Sequence, residues 1–115
     1  MKFRFLILAV SVGMSFSIFA STKTEIDHLL NYVKSTACLY ERNGTMHSGK
    51  EAFKHIEKKY KYYLDDIENT EGFIKYSATK STMSGKHYKV HCGNKPVIAS
   101  KDWLLLQLKK FREEK

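Results

Sequence analysis

Two cysteines constrain the fold of this chain more than any other feature of its sequence. Cys38 and Cys92 are the only cysteines, and an even number in a short exported chain indicates a disulfide rather than a metal site or a catalytic thiol. The bridge would close a loop of about 55 residues. The loss of loop-closure entropy in the unfolded chain would then stabilise the folded state by roughly 4 kcal/mol. Any fold must therefore bring the segment after Ala37 beside the segment before Gly93.

Export is predicted from residues 1–20. Two cations precede an apolar run from Phe5 to Phe19, and the small residue Ala20 follows, which is the order typical of a cleavable signal peptide. The run is about 15 residues, or roughly 22 Å as a helix, whereas a bilayer core needs about 30 Å. We therefore predict cleavage after Ala20, one mature domain over residues 21–115 without a transmembrane segment, and a location in the periplasm or outside the cell.

The mature chain would be strongly basic. Two of the 20 Lys and Arg residues lie in the leader, so 18 remain against 12 Asp and Glu, a net charge near +6. Such a charge favours anionic surfaces. In an exported protein these are phospholipid headgroups, lipopolysaccharide, teichoic acid or an acidic partner protein, and we expect no nucleic acid. The alternative is that lysine-rich helices are only solvated faces.

Apolar residues recur at helical spacing in four segments of the mature chain. The predicted helices cover residues 24–37, a stretch from Gly49 whose apolar stripe continues to Ile67, a shorter stretch after Asn69, and a last stretch from Ser100 onward. Ser48 and Glu51 form a capping box at the start of the second helix. We expect Ser100 to cap the last helix.

Short alternating runs between the helices predict strands. One follows Cys38 and ends at Asn43-Gly44, a dipeptide that favours a tight turn. Another covers residues 86–92, and Val97-Ile98 adds a few strand residues. The polar segment 79–85 is predicted to be a loop. The sequence therefore predicts a small, mostly helical α+β domain with about four helices, two or three short strands and one disulfide.

Catalytic and metal chemistry has little support in the sequence. Five histidines are many for 115 residues, but no close pair of His or Cys residues begins a zinc site. His87 and His91 would lie roughly 13 Å apart along a strand. We therefore expect no metal, no cofactor and no catalytic residue. The alternative left open is a small hydrolase that uses His47, Glu51 and His55.

Polar residues concentrate in two segments near the predicted disulfide. The first is the turn from Arg42 to Gly44, and the second is the loop over residues 81–88. An arginine fork beside hydroxyls and turn amides is suited to an anion or a carboxylate. The alternative is that Arg42 and the serines only tie turns together. The candidate binding residues are Arg42, Asn43, His55, Ser81, Ser84 and Tyr88.

A set of short motifs is spread over residues 24–92. The motifs are Arg42-Asn43-Gly44, Glu51-Ala52 with His55, Glu71 with Phe73-Ile74, and the serine-rich residues 81–84 with Gly85 and Tyr88. Together they resemble the YfeK-like family of small exported bacterial proteins of unknown function, and Trp103-Leu104 in the last helix extends the likeness. The resemblance implies a bacterial periplasmic protein and carries over no catalytic residue.

A narrower match is the segment from Ser84 to Tyr88, which resembles the Ser-Gly-x-x-Tyr signature of periplasmic lysozyme inhibitors. Those inhibitors are mostly β-structured, and a basic protein would be repelled by a basic lysozyme. We therefore predict first a non-enzymatic module that binds an envelope component or a partner protein. An inhibitor of lysozyme or of a cell-wall hydrolase is the second interpretation, and the histidine-dependent hydrolase is the third.

Overall fold

The computed structural model describes residues 21–114, and the predicted signal peptide lies outside them. The described residues form four helices and four strands, with the bounds α1 (Ser21–Ser35), β1 (Leu39–Arg42), β2 (Thr45–His47), α2 (Gly49–Tyr62), a 3₁₀ helix (Leu64–Asp66), α3 (Thr70–Ser77), β3 (Lys89–His91), β4 (Ile98–Ala99) and α4 (Ser100–Glu113). The predicted α+β class is confirmed. No helix among these residues is long and apolar enough to cross a bilayer.

The strands form one antiparallel sheet in the order β2-β1-β3-β4. In its register Leu39 pairs with His91, so Cys38 and Cys92 come to lie opposite each other. The predicted disulfide joins them, with their Cα atoms 4.5 Å apart. The bridge therefore continues the pairing of β1 with β3 and connects the strand after the first helix to a strand that precedes the last.

Strand β2 is absent from the sequence-based prediction, which ended β1 in a turn. Asn43 and Gly44 have φ values of 52° and 81°, as a two-residue hairpin turn of type I′ requires. Arg42 pairs with Thr45 across this turn. Three residues are too few for an alternating pattern, so only the turn chemistry signals the returning strand. The hairpin holds Arg42 and Asn43 at one end of the sheet.

The core lies between the helices and one face of the sheet. Tyr40, Tyr88 and Val90 are buried on the inner side, whereas Leu39 and Lys89 are exposed, because successive residues of a strand point to opposite faces. The helices contribute the fully buried side chains Leu29, Val33, Ile56, Phe73, Ile74, Leu104 and Leu108. The outer face of the sheet therefore remains in contact with solvent.

The start of α2 packs closely against α1. A Cβ atom at Gly49 would collide with the carbonyl oxygen of Val33 and would lie 2.9 Å from a methyl group of Thr36. The predicted capping box is also present: the Glu51 amide donates to Ser48 Oγ at 3.2 Å, and the Ser48 amide donates to Glu51 Oε1 at 3.0 Å. Both features fix where α2 begins.

The second helix is shorter than its apolar stripe predicted. It ends at Tyr62 and gives way to the 3₁₀ helix, so the continuation of the stripe through Leu64 was wrong. Leu64 is 53% exposed. After the 3₁₀ helix the chain turns toward the start of α3. There the side chain of Asn69 accepts from the Gly72 amide at 2.8 Å and caps the helix.

The predicted cap of the last helix is also corrected. Ser100 is the first residue of α4, and Ala99 is the N-cap without a side-chain hydrogen bond. Ser100 is fully buried, and its Oγ lies 2.8 Å from the hydroxyl of Tyr40. A buried hydroxyl needs an internal partner, so this serine joins α4 to the sheet instead of capping the helix.

Candidate functional site

A groove opens between α2, the β1–β2 turn and the loop that precedes β3. Its volume is about 650 Å³, within the range of roughly 300–1,000 Å³ typical of ligand sites. Five of the six predicted binding residues line it, namely Arg42, Asn43, His55, Ser81 and Tyr88. The sixth, Ser84, lies beside the groove and is bonded to Asn43. Folding therefore brings the two polar segments together.

Asn43 joins the hairpin turn to residues 81–85, which we call the serine loop. Its Nδ2 donates to Ser81 Oγ at 3.4 Å, and its Oδ1 accepts from Ser84 Oγ at 2.5 Å. Within the loop, Ser81 Oγ accepts from the Ser84 amide, and Ser84 Oγ accepts from the Lys86 amide. Asn43 and Ser84 thus hold the loop, a role that the alternative interpretation had given to the serines and to Arg42 but not to Asn43.

The hydroxyl of Tyr88 lies at the floor of the groove between two side chains of α2. Lys59 Nζ donates to it at 3.3 Å, and His55 Nε2 lies 3.1 Å from it. Because a lysine can only donate, the hydroxyl accepts from Lys59, whereas the direction of its bond with His55 depends on which ring nitrogen of His55 carries the proton.

The burial of Tyr88 also bears on the Ser-Gly-x-x-Tyr segment. The tyrosine is 2% exposed, and its ring meets the His55 ring edge-on, with 5.9 Å between the centroids. Burial raises the pKa of its hydroxyl. The tyrosine of this segment therefore faces the core and α2.

Burial and neighbouring positive charge lower the pKa of both basic groups on the floor. Burial, followed by the charges of Arg42 and Lys59, lowers the pKa of His55 to about 4. Burial and then the charge of Arg42 lower the pKa of Lys59. A shift of this kind means that the protonated form is poorly stabilised by its surroundings. Among residues 21–114, no carboxylate lines the groove beside these two groups.

Arg42 is a partly buried cation without a partner among residues 21–114. Its guanidinium makes no hydrogen bond or ion pair there, whereas Arg112 is bonded to Glu25 and Glu71. No acidic side chain of the described residues lines the groove. Burying a cation without a counter-ion is unfavourable, and a guanidinium fork binds phosphate or carboxylate in bidentate geometry. The groove is therefore matched to an anion.

A small cavity below the groove contains the residues of the hydrolase interpretation. His47, Glu51 and His55 line it, but its volume is about 20 Å³, room for about one water molecule. Glu51 is already engaged in the capping box, and its carboxylate lies 3.7 Å from His47 Nδ1. Within the described part of the chain, no three His, Cys, Asp or Glu side chains are placed to hold a metal ion. The cavity provides no space for a substrate.

Sequence reasoning missed Lys59 and the rim of the groove. Lys59 lies four residues after His55 and thus on the same face of a helix, so the spacing could have identified it. The rim includes Tyr62 and Met83, which are 80% and 98% exposed. Their exposure depends on where α2 ends and on the shape of the serine loop, which periodicity does not reveal.

Comparison with known proteins gives one match. The model of a family of unknown function, DUF5329, matches residues 20–112. No curated protein and no solved structure is significantly similar to the chain. The matched range includes α1, α2, α3, the sheet, α4 up to Arg112 and every residue of the groove.

Proposed function

Since the chain belongs to the DUF5329 family of unknown function, we propose a function from the groove itself: a non-enzymatic module that binds an anionic component of the cell envelope. The observation that carries this proposal is Arg42, a partly buried arginine whose guanidinium has no hydrogen bond or ion pair among the described residues. Phosphate and carboxylate are the groups that such a fork recognises.

Action outside the cytoplasm is part of the same proposal. The disulfide between Cys38 and Cys92 supports it, because such bridges persist in oxidising compartments and are rare in the cytosol. The signal peptide over residues 1–20, the mature domain over residues 21–115 and the closer likeness to YfeK-like periplasmic proteins remain predictions from the sequence.

An anion in the groove would offset the repulsion among the positive charges of Arg42, Lys59 and protonated His55. Burial is the main cause of the lowered pKa of His55 and of Lys59, and the charge of Arg42 lowers both further, since each cation opposes the protonation of the next. A bound anion would favour the protonated forms of both groups. Anion binding and protonation of His55 are therefore expected to be linked, with each promoting the other.

This linkage can be tested by NMR with sulfate as the probe, because sulfate keeps its charge where phosphate titrates. The His55 imidazole resonances are followed over acidic to neutral pH in sulfate and in chloride of the same ionic strength. In chloride we expect a pKa of about 4, and in sulfate a higher pKa, since an opposite charge a few ångströms away raises it.

The internal control for this titration is His28, which stacks on Phe111 with 4.0 Å between the ring centroids and lies outside the groove. Its resonances should move alike in the two salts. If the titration of His55 is also the same in sulfate and chloride, the groove does not bind anions and the proposed function is wrong.

A further inference from the structure

The mouth of the groove carries exposed apolar side chains on both walls. Tyr62, at the end of α2, is 80% exposed, and Met83, in the serine loop, is 98% exposed. Leu64 follows Tyr62 and is 53% exposed. Large apolar side chains that gather at one exposed place indicate an interaction surface. Tyr62 and Met83 line the same groove as Arg42, and Leu64 lies two residues after Tyr62.

Lysines lie on the same two segments of the chain as Tyr62 and Met83. Lys58 and Lys61 line the groove from α2, and Lys80 and Lys86 are exposed on either side of the serine loop. Exposed apolar side chains among lysines are typical of a site that binds the surface of a membrane. The apolar side chains enter the boundary between headgroups and acyl chains, and the lysines contact anionic headgroups. Tyrosine is among the residues favoured at that depth.

The unpartnered arginine lies behind this mouth. We propose that the anion bound by the groove is the phosphate of a membrane lipid, taken up by Arg42 and Lys59 while Tyr62 and Met83 insert at the bilayer surface. This proposal rests on the proposed function. A groove of about 650 Å³ has room for a glycerophosphate headgroup with the beginning of its acyl chains.

A lipid accounts for more of the surface than an acidic protein would. Aspartate and glutamate side chains could neutralise Arg42 and the lysines, but they would leave Met83 and Tyr62 in contact with water. A bilayer surface satisfies both kinds of side chain at once, because anionic headgroups and apolar chains lie within a few ångströms of each other. The combination of features therefore favours a lipid.

The experiment is sedimentation with vesicles. The protein is mixed with vesicles of phosphatidylglycerol and phosphatidylcholine and with vesicles of phosphatidylcholine alone. We expect binding to the anionic vesicles only. The double variant Tyr62→Ser, Met83→Ser should bind them about tenfold or more weakly, because it loses the buried apolar area. The matched control is Leu106→Ser on α4, since Leu106 is also exposed (62%) but lies outside the groove.

The two proposals can fail separately. The double variant keeps Arg42, so sulfate should still raise the pKa of His55 in it. If sulfate acts on His55 but anionic vesicles do not bind, or bind the double variant and the wild type equally, the lipid proposal is wrong and anion binding by the groove stands. Tighter binding of polyglutamate than of vesicles, unchanged in the double variant, would assign the groove to an acidic protein. If neither sulfate nor vesicles bind, both proposals fail.

Discussion

At the scale of single residues, Tyr88 connects the groove to the core. Its hydroxyl meets His55 and Lys59, its amide donates to the carbonyl of Thr79 at 3.0 Å, and its carbonyl accepts from the amide of Ser100 at 2.9 Å. A buried residue held at both ends cannot rotate away from its partners. The floor of the groove is therefore preorganised, and a ligand need not order these side chains on binding.

The lowered pKa of His55 makes the stability of the protein depend on pH. In the folded state His55 stays neutral down to about pH 4, whereas in the unfolded chain its pKa is near 6.5. Between these values the unfolded state binds more protons, so stability falls as pH falls from about 6.5 to about 4. The loss attributable to His55 is at most about 2 kcal/mol, since the ring is partly exposed and solvent screens it.

The test is chemical denaturation of the wild type and of His55→Gln at pH 7 and pH 4. We expect a smaller loss of unfolding free energy at low pH in the variant, because its side chain does not titrate. The charged and titratable groups near His55, which remain in the variant, are Arg42, His47, Glu51, Lys58, Lys59 and Tyr88. His87→Gln, at an exposed position, serves as the control. Equal pH dependence in all three proteins would show that His55 is not the cause.

At the scale of elements, the contact between α1 and α2 depends on the absence of a side chain at Gly49. Its Cβ would meet the carbonyl oxygen of Val33, which cannot move without displacing α1. We expect Gly49→Ala to lower the free energy of unfolding by about 2 kcal/mol, within the usual range for overpacking. The advantage of alanine over glycine in a helix, at most about 1 kcal/mol, does not offset this loss.

Urea denaturation of Gly49→Ala beside Lys50→Ala measures this effect. Lys50 is the next residue of the same helix and is exposed, so its replacement should change stability by no more than about 0.5 kcal/mol. If Gly49→Ala were as stable as the wild type, the close contact between the two helices would be disproved.

Elements with a local chemical signal could be predicted from the sequence. The capping box at Ser48 and the turn at Asn43-Gly44 lie where they were expected, because each depends on residues within one turn of the chain. The end of α2 and the position of Ser100 could not be predicted this way. Both depend on tertiary packing. The end of α2 depends on the path that the chain takes toward α3, and the position of Ser100 depends on the contact of its hydroxyl with Tyr40.

The ion pairs that join the helices show the same limit. Arg112 on α4 donates to Glu25 on α1 at 2.7 Å and to Glu71 on α3 at 2.8 Å. Glu25 is 4% exposed, although its place in the helical pattern is that of a polar residue. Its partner lies 87 residues away in the chain. A pairing over this separation has no signature in local sequence.

At the scale of the whole molecule, the disulfide explains why the candidate site could be found at all. The site combines the turn after β1 with the loop before β3, which are joined by the Asn43–Ser81 hydrogen bond. Pairing Cys38 with Cys92 places these two strands side by side. Two polar segments about 40 residues apart in sequence therefore meet, whereas the contribution of α2 through Lys59 depends on how that helix packs over the sheet.

The basic charge of the whole molecule provides the competing explanation for any anion binding. A chain in which residues 21–115 carry 18 Lys and Arg against 12 Asp and Glu attracts anions weakly over its entire surface, and salt screens that attraction. The groove differs because Arg42 is partly buried and has no partner among the described residues. The question is therefore whether one position or the total charge determines the affinity.

Two variants of equal net charge decide this question most directly. Sulfate affinity is measured by NMR titration for the wild type, for Arg42→Gln in the groove, and for Lys109→Gln at an exposed position on α4. We predict that Arg42→Gln weakens sulfate binding about tenfold or more, as loss of a charge-assisted hydrogen bond implies, whereas Lys109→Gln changes it by less than about twofold. Equal weakening in the two variants would contradict the account, since it would mean that overall charge alone attracts the anion.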